Sequence, residues 1–440
     1  MKAREILLAL VIIAVGVIAH YANSGKLDLL FENEPFFRIS GEEFVFEESL
    51  EIPGSLPERL EIWNAHGGVD VRSGAVDRIT VVFRKSVVRR TRAEAQTVAD
   101  QLKMTIDRDG GRLVLATNRD AFKRRSFETF FTVTAPAGMP VRVRNSYGPV
   151  QVSGSGETGI ENPHGEVRAE GIGGPLVLSN SYEAVVVRNA SAGVRLACPH
   201  SNLTLESIRG GAVLEHSYGE IGLRDIEGSV IIRGSHSRVA GSVIPGTVEV
   251  ESSYEDILLS ETGPLTIRGP HCGIEVKQAA GPVDISGSYA RIEARGIRGN
   301  LKIDAPNSEV TAADVIAAEI DISTTHQDVG LLGFTGRAKV RMAHGELTLE
   351  PLDLSGPVDV EATYTDIVLT WPAGRRAPFE GISNGGRVAW NLPDAPEVNE
   401  SNGRSLVRAF QNEAGQPGVR LSTSHGDIRV EGRAAGKTTI

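Results

Sequence analysis

The sequence predicts an all-β protein, a single β-solenoid of about 13 rungs with two short strands in each rung of roughly 18 residues. Three observations predict it. Tyrosine and histidine recur every 17 or 18 residues through the middle of the chain, each recurrence is flanked by two short strands, and a Gly-led turn opens each unit. Because one such unit cannot bury its own apolar side chains, neighbouring units must stack.

The recurring aromatic positions form a column that we call the ladder. It contains six of the 7 tyrosines and six of the 10 histidines of the chain, so the pattern does not arise by chance. Asn307 holds the position between Tyr289 and His326. The predicted ladder consists of Tyr147, His164, Tyr182, His200, Tyr218, His236, Tyr254, His271, Tyr289, His326, His344 and Tyr364.

The strands of each unit have an apolar–polar–apolar pattern, as in Ile221–Leu223 and Val283–Ile285. Such a strand points two side chains inward and one outward, and stacked strands lie about 4.8 Å apart. Thirteen rungs would then give a rod on the order of 60 Å long. Apolar residues do not recur every six positions, which argues against a hexapeptide helix. We expect a two-sided solenoid, of either hand.

The N-terminal segment predicts a membrane connection. Lys2 and Arg4 precede the apolar run 6–19, and mainly acidic residues follow it. Basic residues before and acidic residues after such a run orient the body away from the cytoplasm. Residues 1–23 are therefore expected to be an uncleaved signal anchor, an N-terminal hydrophobic helix, or a cleaved signal peptide. Residues 24–57 follow as an acidic spacer.

Two caps are expected to flank the repeats of residues 141–371. The N-terminal cap, 58–140, carries one helix over 92–104, where Ala95, Ala99 and Leu102 share one helical face. Thr91 and Glu94 have capping-box spacing. The C-terminal cap, 372–432, contains a polar loop over 394–417, and a disordered tail covers 433–440.

Two stretches, LEIWNAHGGVDVRSG and FTVTAPAGMPVRVRNSYGPVQVSG, carry a family resemblance. Together with the many G-[DE]-[VIL]-x-[LV] strands, they resemble the bacterial putative-adhesin family over about residues 45–432. The resemblance implies an envelope β-solenoid domain that takes part in surface adhesion. The alternation of tyrosine and histidine is read from this chain alone and is not part of what the resemblance implies.

The ladder is the main candidate site. Aromatic stacking along the rod, which would fix the register of the rungs, is one interpretation. An aromatic strip that contacts a glycan or another partner is the alternative. Histidines on alternate rungs would lie about 9.6 Å apart, too far to share one zinc ion.

An acidic file lies two residues after the ladder, at Glu309, Asp328, Glu346 and Asp366. Like charges at the spacing of stacked strands repel each other unless they are screened, splayed or bridged by a cation. A weak Ca²⁺ or Mg²⁺ site is one hypothesis, because both ions prefer oxygen ligands. A solvated charged face is the other.

Three smaller features have mainly structural interpretations. Gly381–Gly385 matches G-x-S-x-G, but the strand-like residues that follow do not fit a nucleophile elbow. Cys198 and Cys272, four rungs apart, are predicted to be free thiols. A basic cluster is expected to form a solvated face or to contact an anionic polymer; it comprises Arg84, Lys85, Arg89, Arg90 and Arg92, with Lys123, Arg124 and Arg125 downstream.

The sequence thus favours a non-catalytic envelope-anchored solenoid that presents a repetitive surface for adhesion or scaffolding. An ectodomain of an envelope-sensing or regulatory membrane protein is the alternative, and a polysaccharide-acting β-helix enzyme is a third. We expect no catalytic residues and no cofactor. The net charge of −10 argues against binding to nucleic acid. The expected partners are the membrane, through the N-terminal segment, and an envelope polysaccharide or surface protein.

Overall fold

The computed structural model describes residues 41–122, 126–411 and 418–433. These residues form a β-solenoid with one α-helix, which confirms the predicted fold class. None of the helices in these ranges is long and apolar enough to cross a membrane. The hydrophobic segment 1–23, spacer residues 24–40, Lys123, Arg124 and Arg125, loop residues 412–417 and tail residues 434–440 lie outside the described residues.

The helices are α1, Arg92–Gln101, and a short 3-10 helix, Arg119–Ala121. The strands are β1 Glu42–Glu51, β2 Arg59–Trp63, β3 Val69–Gly74, β4 Thr80–Arg89, β5 Met104–Asp109, β6 Arg112–Thr117, β7 Phe127–Pro136, β8 Val141–Arg144, β9 Val150–Ser153, β10 Thr158–Glu161, β11 Val167–Glu170, β12 Leu176–Ser179, β13 Val185–Ala190, β14 Val194–Ala197, β15 Leu203–Ile208, β16 Ala212–Ile226, β17 Val230–Ile244, β18 Val248–Glu251, β19 Ile257–Thr262, β20 Leu265–Arg268, β21 Gly273–Ala279, β22 Val283–Ser286, β23 Arg291–Ile297, β24 Leu301–Pro306, β25 Glu309–Thr325, β26 Val329–Pro351, β27 Val358–Trp371, β28 Phe379–Asn384, β29 Val388–Asn391, β30 Glu397–Ser401, β31 Arg404–Ala409, β32 Val419–Ser424 and β33 Ile428–Gly432.

Each rung, or coil, consists of two strand segments, and each segment pairs in parallel with its equivalent in the next coil. Val185 faces Leu203 across one such pair, and Leu203 faces Ile221 across the next. Thirteen coils follow one another between Val141 and Trp371, as predicted. In β16, β17, β25, β26 and β27 the backbone passes from one segment to the next without leaving the sheet.

The core is a set of parallel files of apolar side chains. Inward positions such as Val185, Leu203 and Ile221 are almost completely buried, and the intervening positions face solvent. Each inward residue therefore packs on its equivalents one coil above and below. This arrangement explains why Val, Ile and Leu, which fit a pleated surface, dominate the strands.

Corners between the segments need special backbone conformations. After the second segment the chain turns through a residue with positive φ, such as Asn189 at 55° or Asp225 at 57°. The turn that opens a unit brings the chain close to the coil before it. A Cβ atom on Gly174 would lie 2.6 Å from the backbone nitrogen of Glu157, so only glycine fits there.

At the N-terminal end, the order of coils in space differs from their order in the sequence. Strands β2 and β3 form a coil that lies between the coil of β6 and β7 and the coil of β8 and β9. Strand β5 pairs antiparallel with β6, while β4 pairs antiparallel with both β7 and β1. The stack of parallel coils thus extends into the region predicted to be a cap.

Helix α1 packs against this end of the stack. It begins after Thr91, whose hydroxyl accepts a hydrogen bond from the Glu94 amide at 3.3 Å, as the capping-box spacing predicts. Ala95, Ala99 and Leu102 are buried together with Val87 and Phe127. The helix ends at Gln101, three residues before the predicted end, because the chain turns there into β5.

The C-terminal end repeats the inversion. Strands β32 and β33 pair in parallel with β27 on one side, and with β28 and β29 on the other. The coil formed last in the sequence is therefore the second from the end in space. Strand β31 pairs antiparallel with β28 and with β30, and it covers the outer edge of β28.

Candidate functional site

The ladder forms a continuous stack of rings from Tyr147 to Tyr289. Neighbouring ring centroids lie 4.7 to 5.9 Å apart, and the planes of neighbouring rings differ by 19° or less. The Tyr182–His200 pair is the widest of these, at 5.9 Å. Side chains that are 17 or 18 residues apart are therefore neighbours in space, as the solenoid requires.

Two further rings extend the ladder beyond the sequence pattern. His66 stacks on Tyr147 at 4.5 Å, and His425 stacks on Tyr364 at 4.7 Å. Sequence reasoning missed both, because the inverted order of the end coils separates them from their neighbours by many residues. Their residue type was the available signal, since each continues the tyrosine–histidine alternation.

The ladder is interrupted once. Tyr289 stacks on His271 at 5.3 Å, whereas His326 stacks on His344 at 4.8 Å. Asn307 lies between Tyr289 and His326, in a coil that contributes no ring. We call His66–Tyr289 the first ladder segment and Asn307–His425 the second.

The rings lie at the surface, but most of their faces do not. The exposed fraction of the ladder tyrosines ranges from 47% for Tyr147 to 64% for Tyr289. Each ring inside a segment covers the faces of its two neighbours, so solvent reaches mainly the ring edges with the tyrosine hydroxyls, although His236 Nδ1 is buried. A partner along most of the ladder would meet these hydrogen-bonding edges rather than aromatic faces.

The corner that carries the ladder has an unusual backbone. From His200 onward each ladder residue adopts the left-handed region, with φ between 52° for Tyr364 and 70° for Tyr254. Large side chains rarely adopt this conformation. The same corner recurs coil after coil, so the stack of rings and the paired backbone on both sides hold it in place.

A file of asparagines lies just inside the first ladder segment, two residues before the ring. The Asn162 amide donates to the carbonyl oxygens of Gly148 and Gly165, and the Asn180 amide donates to those of Asn162 and Gly165. Asn64 and Asn145 hold the equivalent positions, and all four asparagines are buried. They join successive coils through corner carbonyls that strand pairing leaves free. The recurring Asn-x-Tyr/His pattern could have revealed them.

His216 occupies the same interior file. Its Nδ1 lies 2.8 Å from Ser237 Oγ, and its Nε2 lies 2.6 Å from the Ser201 carbonyl oxygen. Burial, as the main cause, lowers the pKa of His216 from its ordinary value. His216 is therefore a structural histidine of the interior, distinct from the ladder histidines, which are exposed or half-buried.

Two members of the acidic file cap the backbone of neighbouring coils. Asp328 Oδ1 accepts a hydrogen bond from the Glu346 amide, and Asp366 Oδ1 accepts one from the Asp427 amide, both at 2.8 Å. Glu309 lies 3.9 Å from Arg291. Within the described ranges, no group of three or more His, Cys, Asp or Glu side chains converges as metal ligands. Backbone capping thus provides a structural reason for the carboxylates of Asp328 and Asp366.

The basic cluster is not one solvated face. Lys85 is buried, and its Nζ lies 2.5 Å from Glu48 Oε1 and 2.8 Å from the Ala99 carbonyl oxygen. Arg84 lies over the ring of Phe130 at 4.2 Å, so two members of the cluster hold the N-terminal strands and helix together. Helix α1 packs on the face of strand β4 that carries Lys85, which is why this side chain is buried.

The other sequence motifs have structural roles. Ser383 of Gly381–Gly385 is buried, donates to the Gly426 carbonyl at 2.6 Å, and is followed by a strand. Cys198 and Cys272 are free and buried, as predicted. Burial raises the pKa of the Cys198 thiol to about 12 and also raises the pKa of Cys272. Neither thiol is a thiolate at neutral pH.

The family model of Toastrack DUF4097 matches residues 177–431, more than half of the chain. The chain belongs to the Toastrack family. This match confirms the predicted membership of an adhesin-like family, and it covers the repeats from the third predicted coil through the last strand of the stack. Toastrack coils are thus the units whose rings form most of the ladder.

Other comparisons add less. No curated protein matches this chain. One solved structure that matches this chain is a putative cell adhesion protein from Clostridium sporogenes. Its sequence is 9% identical to this chain, and the two structures have a TM-score of 0.19. It covers 89% of this chain and 100% of its own. A TM-score this low carries no argument about the protein described here.

Proposed function

We propose that this Toastrack protein is a non-catalytic, envelope-anchored rod that presents a repetitive surface for adhesion or scaffolding. The observation that supports this proposal is the ladder, whose exposed ring edges recur at one coil spacing along the stack. A partner made of repeating units, such as an envelope polysaccharide or a regular protein surface, would meet equivalent groups at each coil. Multiple weak contacts of this kind add up through avidity.

The outer strand faces support the same proposal. Their charged side chains pair mostly between neighbouring coils, as in Arg142–Glu161 at 2.8 Å and Arg341–Asp321 at 2.8 Å. Burial is the main cause of the raised pKa of Cys198 and of the lowered pKa of His216. Catalytic sites usually need a cleft with convergent titratable groups.

The apolar run 6–19, with basic residues before it, is the basis for proposing that the rod is tethered outside the cytoplasm. Cell fractionation of the full chain, and of a variant that lacks residues 1–23, tests this part. We expect the full chain in the membrane fraction. We also expect protease added to cells with a permeabilised outer envelope to cleave the body of the protein. Recovery of the full chain from the cytoplasm, protected from protease, would contradict the tether.

Adhesion itself is tested by sedimentation of the protein with purified envelope polysaccharide and with intact envelopes. We expect retention that falls when the protein is in competition with soluble polymer. A heat-denatured sample is the control for nonspecific adsorption. Absence of retention on every envelope fraction would contradict adhesion and leave a purely structural rod.

A further inference from the structure

The interruption of the ladder is a local departure from an otherwise regular pattern. In spatial order from His66 to His425, thirteen of the fifteen ladder positions follow one alternation of His and Tyr, and the alternation keeps its phase across the interruption. His344, Tyr364 and His425 hold the residue types that uninterrupted alternation would give them. Only two adjacent positions depart from it: Asn307 stands where histidine is expected, and His326 stands where tyrosine is expected.

This departure leaves two aromatic faces without a neighbouring ring. Tyr289 is stacked on one side by His271, and His326 is stacked on one side by His344. Their other faces point toward each other across the coil of Asn307. Tyr289 is also the most exposed ladder tyrosine, at 64%. We call the space between these two faces the notch.

The floor of the notch is polar. Asn307 is half-buried, its backbone amide donates to Thr325 Oγ1 at 3.0 Å, and within the described ranges its side-chain amide makes no hydrogen bond. That amide offers both a donor and an acceptor. Its side chain is shorter than the flanking rings, so the outer part of the notch stays open. The carboxylates of Glu309 and Asp328 follow two residues after the corner on the same side.

The width of the notch selects among ligands. Two coil spacings place Tyr289 and His326 about 9.6 Å apart. A flat ring in contact with both walls needs only about 7–8 Å, twice the usual carbon–carbon contact distance. A pyranose ring is thicker, because its chair is puckered and axial C–H groups project from both faces. Those C–H groups are attracted to the negative face of an aromatic ring, while equatorial hydroxyls can bond to an amide.

We propose that the notch is a binding subsite for one pyranose unit of a polysaccharide, held between Tyr289 and His326 and hydrogen-bonded to Asn307. The inference deepens the proposed adhesive function and rests on it. It assigns contact with aromatic faces to one coil, because rings inside each ladder segment are covered on both faces by their neighbours and offer a glycan only their edges. The His326 ring is smaller than the tyrosine that the alternation would place there, so this wall reaches less far outward while the width of the notch stays at two coil spacings.

The substitution Asn307→His tests the proposal by completing the ladder. The new imidazole would stack between Tyr289 and His326 and fill the notch, so the variant should fold at least as stably as the unchanged protein. Asn189→His is the matched control, because Asn189 has nearly the same backbone conformation, φ 55° against 57° for Asn307, and is exposed at the other corner of a coil.

Binding is measured by calorimetric titration of the full chain with soluble hexasaccharides of glucose and of N-acetylglucosamine at millimolar concentration. We expect at least one hexasaccharide to bind the unchanged protein and Asn189→His equally, and Asn307→His to bind it at least tenfold more weakly with an unchanged or raised Tm. Equal binding by Asn307→His, or no binding of any hexasaccharide to the unchanged protein, overturns the notch as a sugar subsite.

The same variants separate this inference from the proposed function. If Asn307→His still sediments with intact envelopes while it no longer binds hexasaccharides, both the notch and a wider adhesive surface are supported. If hexasaccharide binding is absent but envelope retention persists, the notch is overturned and adhesion stands. Loss of both properties in the unchanged protein overturns both proposals.

Discussion

The two ladder segments share one coil spacing but differ in what lies at the corner. In the first segment, rings alternate without a gap and buried asparagines such as Asn162 and Asn180 join the coils. In the second segment, Asn307 leaves a gap, and the equivalent interior positions include Thr324 and Thr423, which donate to corner carbonyls. Ring centroids are nevertheless 4.8 Å apart for both Tyr218–His236 and His326–His344.

The paired backbone and the buried files set the distance between coils. The rings adapt to a spacing that they do not determine, because the coil of Asn307 keeps its parallel pairing without a ring. The ladder is therefore the part of the corner that can change without loss of the fold. A binding site is more easily accommodated there than in the core.

The largest expected effect is in the core of the second segment. Phe334 is completely buried in the coil that carries His326. Phe334→Ala should lower the free energy of unfolding by about 3–5 kcal/mol, because it removes a large side chain and leaves a cavity. Urea denaturation measures this loss, with Ile226→Ala as the counterpart in the first segment. If Phe334→Ala lowers the free energy of unfolding by less than the replacement of a ladder tyrosine by alanine does, the rings and not the core stabilise the second segment.

Replacement of an interior asparagine should have the second largest effect on the free energy of unfolding. Asn180→Ala removes the donor to two carbonyl oxygens and the acceptor for the Ser201 hydroxyl. We expect a decrease of about 1–3 kcal/mol in the free energy of unfolding, because buried polar groups lose their partners. The exposed Asn189→Ala is the control and should change stability little. Equal effects at both positions would mean that the asparagine file does not join the coils.

A ladder ring should contribute less. Tyr254 stacks on His236 at 4.7 Å and on His271 at 5.1 Å, and it is 57% exposed. Tyr254→Ala should cost about 1 kcal/mol, near the lower limit for two stacked aromatic pairs. Tyr254→Phe keeps both stacks and should leave Tm unchanged. If Tyr254→Ala keeps its Tm but loses retention on envelope polysaccharide, the ring serves a partner and not the fold.

The smallest effect concerns pH. Because burial lowers the pKa of His216 below its ordinary value of 6.5, the unfolded chain binds this proton more readily than the folded protein does. The stability present above pH 6.5 should therefore fall as the pH decreases below that value. His216→Asn, which places the asparagine of neighbouring coils in this file, should reduce the slope of stability against pH. Denaturation at pH 7.5 and pH 5.5 measures the difference, and an unchanged slope would contradict a buried neutral His216.

The fold was predictable because each coil repeats the same local pattern. Positions such as Tyr182 and His200 are one coil apart in sequence and in space, so periodicity alone paired them. His66 and His425 could not be paired in this way, because their neighbours in the stack are distant in the sequence. The burial of Lys85 was equally inaccessible, since it depends on the packing of helix α1 on strand β4, which no repeat indicates.

For the candidate site, the sequence gives the residues but not their exposed surfaces. It identifies Asn307 as a ladder position without a ring. Whether a ring offers its face or its edge follows from stacking geometry, which determines that Tyr289 and His326 differ from the rings inside each segment. The acidic file illustrates the same limit. Asp328 and Asp366 accept hydrogen bonds from backbone amides of neighbouring coils, and the sequence alone does not show which amides these are.

The inverted order of the end coils affects how the rod can come apart. In an ordinary solenoid the terminal repeat peels away first, and unravelling then proceeds one repeat at a time. Here the coil of β2 and β3 is clamped between two coils that follow it in the chain, and the coil of β32 and β33 is clamped between two that precede it. Neither of these two coils can separate from the stack without breaking its pairing with both neighbouring coils. A force applied at either end of the rod is therefore distributed over strands that are far apart in the sequence.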